Sequence, residues 1–373
     1  MDTTPDPRWQ AALAHSHYLN HLLQAHPELI PELRASWQRP LSEDMMLAAL
    51  RGPFTDDEAV RSALRRLRHR AMAHIALRDL CRLAPLDEVV ECMTMLADIT
   101  TNFALDHFHR QLATIHGEPL DRAGRAQRLL VIGMGKLGGR ELNVSSDVDY
   151  IFIYPEEGDT AGPKSIENYD FFTRLGKRVI GALGDLTADG QVFRVDMRLR
   201  PNGDSGPLVC SLDALENYFI TQGREWERYA WIKSRVMNAG PNADGAALGE
   251  WMAALRRISR PFVFRKYLDF GAINAMRDLH AQIRREVARK DMADHVKLGP
   301  GGIREIEFIA QVFQLIRGGR DPALQIRPTL SVLKLLVERK LLPSEAEQEL
   351  REAYVFLRRL EHRLQYVGDQ QTH

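Results

Sequence analysis

A glycine-rich turn followed by a pair of aspartates most limits what this chain can fold into. The apolar run LLVIGMG stops at glycines, which is typical of a buried strand that enters a tight loop. The next run, DVDYIFIYP, alternates as a strand does. Residues two apart on a strand point to the same face, so Asp147 and Asp149 would bring two carboxylates to one place. Two such charges repel each other unless a cation lies between them.

The glycines also form the pattern G-x-G-x-x-G, which raises the alternative of a dinucleotide site. A Rossmann unit needs a full helix after the glycines and an acid at the end of the second strand. Only LGGRELN separates the glycines from the next run, and the acids stand at its start. A P-loop is excluded as well, because Gly138 is followed by Gly139 and not by lysine and serine.

A third acid lies in another apolar run, QVFRVDMRLRP, which predicts a third strand at 191–201. Asp196 in this strand needs a partner, and a shared metal ion would supply one. Carboxylate oxygens of this kind suit Mg²⁺. The arginines that alternate with the apolar residues are expected on the face of Asp196, where they could pair with it or bind phosphate: Arg194, Arg198 and Arg200.

Periodicity divides the chain into three parts. Helical spacing dominates 1–115 and 241–373, the latter including a helix at 279–290, whereas 116–240 mixes strands with helices. Within the middle part we predict a helix at 167–184 and further helices in ALENYFITQG and REWERYAWIKSRVM. The expected class is α+β, with a catalytic domain between N-terminal and C-terminal helical domains.

Charge and cysteine content exclude some classes of protein. Basic and acidic side chains number 50 each, so nothing in the balance favours a nucleic-acid partner. Three scattered cysteines fit a reduced cytoplasm better than a disulfide framework. The N-terminus has no apolar signal region and no run is long enough to span a bilayer. We therefore expect a cytoplasmic protein with no membrane or nucleic-acid partner.

The spacing from Gly135 to the acid pair, G-x11-D-x-D, resembles the signature of the DNA polymerase beta-like nucleotidyltransferase superfamily. Longer blocks resemble one family more closely, the glutamate-ammonia-ligase adenylyltransferase family. The blocks follow family order from about residue 130 to the end: GMGKLGGRELNVSSDVDYIFIYP, VDMRLRPNGDSGPLVCS, GREWERYAWIKSRV, RPFVFRKYLDF and KLGPGGIREIEFIAQVFQLIRGGR.

Members of that family carry two similar halves, and this chain resembles the N-terminal, adenylyl-removing half. GDSGPLVCS and GREWERYAWIK are the discriminating features, and we expect the chain to be a truncated form of the longer, multifunctional enzyme. The resemblance implies that phosphate releases AMP, as ADP, from a tyrosine of adenylylated glutamine synthetase, which controls nitrogen assimilation. It also implies Mg²⁺ as cofactor. Its implied partners are glutamine synthetase, ADP or ATP, phosphate and a PII-type nitrogen signalling protein.

By position in these blocks, the resemblance assigns roles to several residues. The metal-binding and catalytic acids would be Asp147, Asp149 and Asp196. The nucleotide loop would consist of Gly135, Lys136, Gly138 and Gly139, with Ser145 and Ser146 able to touch phosphate. We add three candidate phosphate contacts: Arg198, Arg200 and Lys233.

Two further segments are left with alternatives. The block from Lys297 to Glu307 could bind an anion at a glycine-rich helix start, or it could dock its helix onto the catalytic domain. Trp226 and Tyr229 lie three apart on a predicted helix, where core packing is favoured over base stacking. Two other functions also stay open: an ATP-dependent adenylyltransferase, which would use the same site, and a catalytically silent nucleotide-sensing module.

Overall fold

Five short strands in the middle of the chain form one mixed sheet. The protein is represented by a computed structural model that describes residues 6–238, 245–267, 281 and 295–368. In the sheet, β2 pairs with β1 in antiparallel and with β3 and β4 in parallel orientation, and β1 pairs antiparallel with β5. The strands are β1 (Leu130–Gly133), β2 (Val148–Tyr154), β3 (Val195–Asp196), β4 (Val209–Ser211) and β5 (Arg235–Val236).

Helices precede the sheet in the sequence. Several begin at side chains that accept a hydrogen bond from the first turn, as Asp56 does from the amide of Ala59. The longest of them ends at Gly117, whose positive φ of 85° suits glycine. These helices are α1 (Pro7–His15), α2 (His17–Ala25), α3 (Leu29–Ser36), α4 (Glu43–Ala49), α5 (Asp57–Leu80) and α6 (Leu86–His116).

The remaining helices lie between the strands and after them. Within and around the sheet are α7 (Gly135–Gly138), α8 (Asn168–Gly184), α9 (Leu212–Thr221) and α10 (Glu225–Trp231). The C-terminal part contains α11 (Gly245–Val263), α12 (Ile303–Arg317), α13 (Thr329–Glu338) and α14 (Ser344–Gly368). None of the helices in the described ranges is long and apolar enough to cross a membrane.

The two faces of the sheet belong to two different cores. On β2, Tyr150 and Phe152 pack with the N-terminal helices and α8, whereas Ile151 and Ile153 pack with α9, α10 and α11. This alternation is the period-2 pattern of the sequence, with both faces buried. A third core joins α12, α13 and α14. The sheet therefore lies between helical layers, and the predicted α+β class is confirmed.

The predicted elements agree with the structure where periodicity was strong. The helix expected at 167–184 is α8, which confirms the prediction. The helix expected at 279–290 lies outside the described residues, apart from residue 281.

Other expected elements were wrong in extent. The strand expected at 191–201 is limited to Val195–Asp196, because the chain turns when the amide of Arg200 donates to the Met197 carbonyl at 3.2 Å. The helix expected in REWERYAWIKSRVM ends at Trp231, and its last residues form β5 instead.

Candidate active site

The three predicted aspartates open onto a single cleft. It has a volume of about 670 Å³ and its lining includes Asp147, Asp149 and Asp196. Asp149 and Asp196 are register partners on the parallel strands β2 and β3, so they lie side by side. Asp147 immediately precedes β2 and lies two residues before Asp149, on the same face. The structure thus brings together the acids that the sequence placed in separate runs.

Burial and crowding change the protonation of Asp149. Burial, and then the carboxylates of Asp196 and Asp147, raise the pKa of the Asp149 carboxyl to about 7 in total, while Lys297 and Arg198 oppose them. Near neutral pH this carboxyl is therefore partly protonated. A cation placed between the carboxylates would favour the ionised form.

Two arginines form ion pairs with Asp147 and Asp196. Arg194 Nε donates to Asp147 Oδ1 at 2.6 Å, and Arg198 binds the carboxylate of Asp196 through its guanidinium and its backbone amide. Within the described ranges, no three or more His, Cys, Asp or Glu side chains are grouped as a ready metal site. The two guanidinium groups therefore balance the negative charges of Asp147 and Asp196.

The expected common face of three arginines was wrong. Arg194 pairs with Asp147, and Arg200 turns away from the cleft to donate to the carbonyls of Met197 and Gly206. The physical reason is the short third strand, because alternation stops where the chain turns after Asp196. Arg198 alone of the three lines the cleft.

The glycine loop separates into a part that faces the cleft and a part that does not. Gly135 has a φ of +55°, and a Cβ there would lie 3.5 Å from Asp149 Oδ2, so it forms the floor beside the acids. Ser146 lines the cleft, but Ser145 is buried and its amide donates to Gln365 Oε1 at 3.2 Å. The amide of Ser145 thus meets α14, while its hydroxyl oxygen accepts from Arg194 Nη2 at 3.3 Å.

Gly138 and Gly139 meet protein atoms and do not line the cleft. A Cβ on Gly138 would lie 1.7 Å from the Lys233 carbonyl oxygen, and one on Gly139 would lie 3.0 Å from Glu141 Oε2. The expectation that these two glycines admit phosphate is therefore replaced by a packing role. Gly138 lets the loop lie directly against the segment that leads into β5.

Lys136 lines the cleft while its ammonium group faces α14. Its Nζ lies 3.2 Å from both carboxylate oxygens of Glu361. Burial lowers the pKa of Lys136 to about 8, although Glu361 acts in the opposite direction. Burial alone would raise the pKa of Glu361, but Lys136 and Arg358 outweigh it and lower that pKa to about 2. Lys136 is thus anchored at the edge of the cleft.

Lys233 is fully engaged by other side chains. Its Nζ donates to Glu141 Oε2 at 2.7 Å, to Thr329 Oγ1 at 2.9 Å and to Glu307 Oε1 at 3.1 Å. Burial would lower the pKa of Lys233, but the two carboxylates outweigh it and raise the pKa instead. All three ammonium hydrogens are used, so the predicted phosphate contact has no donor left.

Basic and aromatic side chains share the cleft with the acids. Lys297, Arg304 and Trp226 line it, together with Tyr229, Phe308 and the acidic Glu305 and Glu307. Trp226 is 39% exposed, so the expectation that it is a core residue was wrong. Tyr229 instead packs on Phe308, with ring centroids 5.8 Å apart, as expected of a packing residue. Trp226 was misjudged because helical spacing does not say which side of a helix faces a cleft.

The glycine block before α12 docks its helix against the segment that leads into β5. Glu307 accepts from Lys233 Nζ at 3.1 Å, and Glu305 accepts from the amide of Gly301 at 2.9 Å. Lys297 and Arg304 line the cleft that the three acids also line. The docking alternative is thus observed directly, and anion binding by this block stays a prediction.

A buried polar cluster behind the loop had no recognisable signal in the sequence. Arg358 donates to the Glu141 carbonyl and to Asn143 Oδ1, each at 2.6 Å, and the amide of Thr329 donates to Glu141 Oε1 at 2.7 Å. In sequence, Arg358 and Glu361 look like charges on an ordinary amphipathic helix. Only the packing of α14 against the loop identifies them as positioning residues.

Fold and cleft together define an α+β protein with a cleft lined by acidic, basic and aromatic side chains. A family model described as glutamate-ammonia ligase adenylyltransferase matches residues 8–249, and the chain belongs to this family. A second model, GlnD PII-uridylyltransferase, matches residues 277–373. The predicted family is therefore confirmed, and the part of the full-length relatives that the chain matches is their N-terminal half.

Three relatives carry the name bifunctional glutamine synthetase adenylyltransferase/adenylyl-removing enzyme. The chain is 57% identical to the protein of Aromatoleum aromaticum, over 100% of this chain and 39% of the relative. It is 53% identical to that of Nitrosomonas eutropha, over 99% and 40% respectively. It is 56% identical to that of Chromobacterium violaceum, over 96% and 39%. The chain thus spans about two fifths of the length of these relatives.

We predict that Gly138→Ala destabilises the protein by at least about 3 kcal/mol, because its Cβ would overlap the Lys233 carbonyl. Gly249→Ala is the matched control, since Gly249 lies in α11 with nothing within 4 Å of an added Cβ. That change should stabilise by roughly 0.5–1 kcal/mol. Urea unfolding measures both, and equal midpoints for the two variants would contradict the close approach.

Asp149→Asn should stabilise the protein without metal, and the gain should grow with pH. The raised pKa means that the folded state keeps a proton that the unfolded chain has lost, so stability falls as pH rises from about 4 to about 7. Asparagine removes this penalty, which is on the order of a few kcal/mol. Thermal unfolding in chelator at pH 5 and pH 8 tests this, and a variant less stable than wild type at pH 8 would refute it.

Proposed function

We propose that this chain removes AMP from a tyrosine of adenylylated glutamine synthetase by Mg²⁺-dependent phosphorolysis, and so controls nitrogen assimilation. The observation that carries the proposal is the cleft in which Asp149 and Asp196 lie side by side, with Asp147 on the same face. Lys297 and Arg304, which also line the cleft, would accommodate a second anion. The shared name of the relatives supports glutamine synthetase as the protein substrate. We further propose that the core is of the DNA polymerase beta-like type.

The donor set of the cleft fits a divalent cation. Three carboxylates line the cleft together, and burial and their mutual repulsion raise the pKa of Asp149. Asp147, Asp149 and Asp196 would hold Mg²⁺ through hard oxygen ligands once the two arginines give way. Bound Mg²⁺ would supply charge neutralisation between the two reacting phosphate groups.

Lys297 and Arg304 are the cleft cations suited to hold inorganic phosphate. They line the cleft together with the acids, and phosphate is already anionic at neutral pH, so it needs no general base. A phosphate oxygen forms a bond to the α-phosphorus of the AMP group, and the bond from that phosphorus to the tyrosine oxygen breaks. The phenolate leaves and takes a proton from solvent, since its pKa in solution is about 10. The products are ADP and free tyrosine.

Trp226 offers a flat surface for the adenine ring. It lines the cleft and is more exposed than Tyr229 and Phe308, the other two aromatic residues of the lining. Stacking of a base on an aromatic side chain is worth roughly 1–3 kcal/mol. The ring would orient the nucleotide so that its phosphate meets the acids.

The two alternatives from the sequence use the same cleft. An ATP-dependent adenylyltransferase would run the corresponding chemistry toward modification, and microscopic reversibility gives it the same acids. A silent nucleotide-sensing module would bind nucleotide without turnover.

A PII-type signalling protein is a further proposed partner, supported by the match of residues 277–373 to a PII-uridylyltransferase model. A calorimetric titration that detects no binding of such a protein would contradict this proposal.

Radiolabelled phosphate tests the reaction. With adenylylated glutamine synthetase and Mg²⁺, we expect label in ADP at a rate that saturates with phosphate. AMP release at an equal rate without phosphate would show hydrolysis and contradict the mechanism. Transfer from ATP to unmodified glutamine synthetase would support the reverse direction, and no reaction in either assay would support the silent module.

Asp147→Asn should lower this turnover at least about a hundredfold while the protein stays folded, since charge stabilisation by the metal is lost. Asp204→Asn is the matched control, because Asp204 is an exposed partner of Arg200 outside the cleft. It should keep wild-type turnover. Near-normal activity of the folded Asp147→Asn variant would contradict a catalytic role for this acid.

Trp226→Ala should weaken ADP binding by roughly 5- to 100-fold, and Trp226→Phe should restore most of it, because the phenyl ring still stacks. Isothermal titration with ADP measures both variants. Ile220→Ala, at another exposed apolar side chain outside the cleft, controls for general surface effects. Unchanged ADP affinity in Trp226→Ala would place the base elsewhere.

A further inference from the structure

A second pocket lies at the opposite edge of the sheet from the acidic cleft. It surrounds β5, whereas the cleft lies beside β3, and the two have no lining residue in common. Its volume is about 440 Å³, within the range of small-ligand sites. Apolar side chains form part of its lining, among them Ile132, Val236, Met252 and Leu255.

Four arginines from four separate segments surround this pocket, which we call the arginine pocket. They are Arg140, Arg235, Arg256 and Arg327. Asp98 is the carboxylate of the lining, and Arg235 donates to it twice, at 3.0 and 2.8 Å. Arg140 lies 3.4 Å from Asp98 and also pairs with Glu91. Even with Glu91 counted, the arginines exceed the carboxylates by two positive charges.

The excess charge resides on Arg256 and Arg327. Arg256 Nε donates to the Met252 carbonyl of its own helix at 3.3 Å, and Arg327 Nε donates to the Ser234 carbonyl. Neither has a carboxylate within ion-pair distance in the part of the chain that the structure describes. Both arginines are open to solvent on one side, and partial desolvation, followed by the charges of Arg235 and Arg256, lowers the pKa of Arg327. Like charges held together in this way are unfavourable until an anion joins them.

We propose that the arginine pocket binds a small dianion, either a phosphate ester or a dicarboxylate. Arg256 and Arg327 would bind its oxygens, since the planar guanidinium matches carboxylate and phosphate alike. The hydroxyl groups of Ser234 and Ser259 also line the pocket and can donate to the same oxygens. The apolar part of the lining accommodates a short carbon skeleton.

The arginine pocket adjoins the glycine loop from behind. Arg235 Nη2 donates to the carbonyl of Leu137 in α7 at 3.3 Å, and Arg140 follows the same short helix. Gly135, the first residue of α7, lines the acidic cleft on the other side. A dianion attracted by these arginines would therefore contact side chains that hold the loop of the cleft.

Calorimetric titration of the metal-free protein at pH 8 tests the site, with glycerol 3-phosphate, a phosphate ester, and glutarate, a dicarboxylate, as separate dianionic probes. Chloride keeps the ionic strength constant, because exposed arginines attract any anion weakly. We expect saturable binding of at least one probe, at least about tenfold weaker in Arg256→Ala and in Arg327→Ala, since a charged hydrogen bond is worth roughly 1.5–3 kcal/mol. The preferred probe distinguishes a phosphate ligand from a dicarboxylate.

Two variants serve as controls. Arg257 is the next residue of the same helix, is exposed and does not line the pocket, so Arg257→Ala should bind as wild type does. Lys297→Ala removes a cation of the acidic cleft and should also leave this binding unchanged. Absence of saturable binding, equal affinity in Arg256→Ala and Arg257→Ala, or loss of binding in Lys297→Ala alone would each overturn the proposal.

Discussion

The buried ammonium of Lys233 is the interaction on which the rest of the structure depends. It joins Glu141 from the glycine loop, Glu307 from α12 and Thr329 from α13 at one point. Removing one partner from a buried ion pair typically costs about 3–5 kcal/mol, because the remaining charge is left without compensation. This cluster therefore holds the C-terminal helices against the loop. It thereby also positions Lys297 and Arg304, which line the cleft.

Two ion pairs and a proton explain how a cleft with three carboxylates is stable. Asp147 and Asp196 each form an ion pair with an arginine. Asp149 has a pKa near 7, so a proton on it reduces the repulsion among the three. Three carboxylates that repel one another are locally unfavourable, and functional sites often contain unfavourable arrangements of this kind. The cluster behind the loop provides the stability that keeps these acids in place.

Sequence predicted the residues whose position follows from local geometry. Asp147 and Asp149 share a face because strand period is two, and Asp196 joins them because its short strand pairs with β2. The sequence predicts Lys233 as a phosphate contact and Gly138 as part of the nucleotide loop, yet their partners come from segments about 70 to 100 residues away in sequence. Which helix packs on which loop is a tertiary outcome, so neither spacing nor composition could reveal it.

Binding of Mn²⁺, followed by electron paramagnetic resonance, tests most directly the claim that the three acids form a divalent-cation site. At pH 8 the account predicts saturable binding by the wild-type chain and by Asp204→Asn, and at least about tenfold weaker binding by Asp149→Asn. Wild-type affinity should fall at pH 6, because the proton on Asp149 competes with the metal. Equal Mn²⁺ affinity in Asp149→Asn and the wild-type chain would contradict the account.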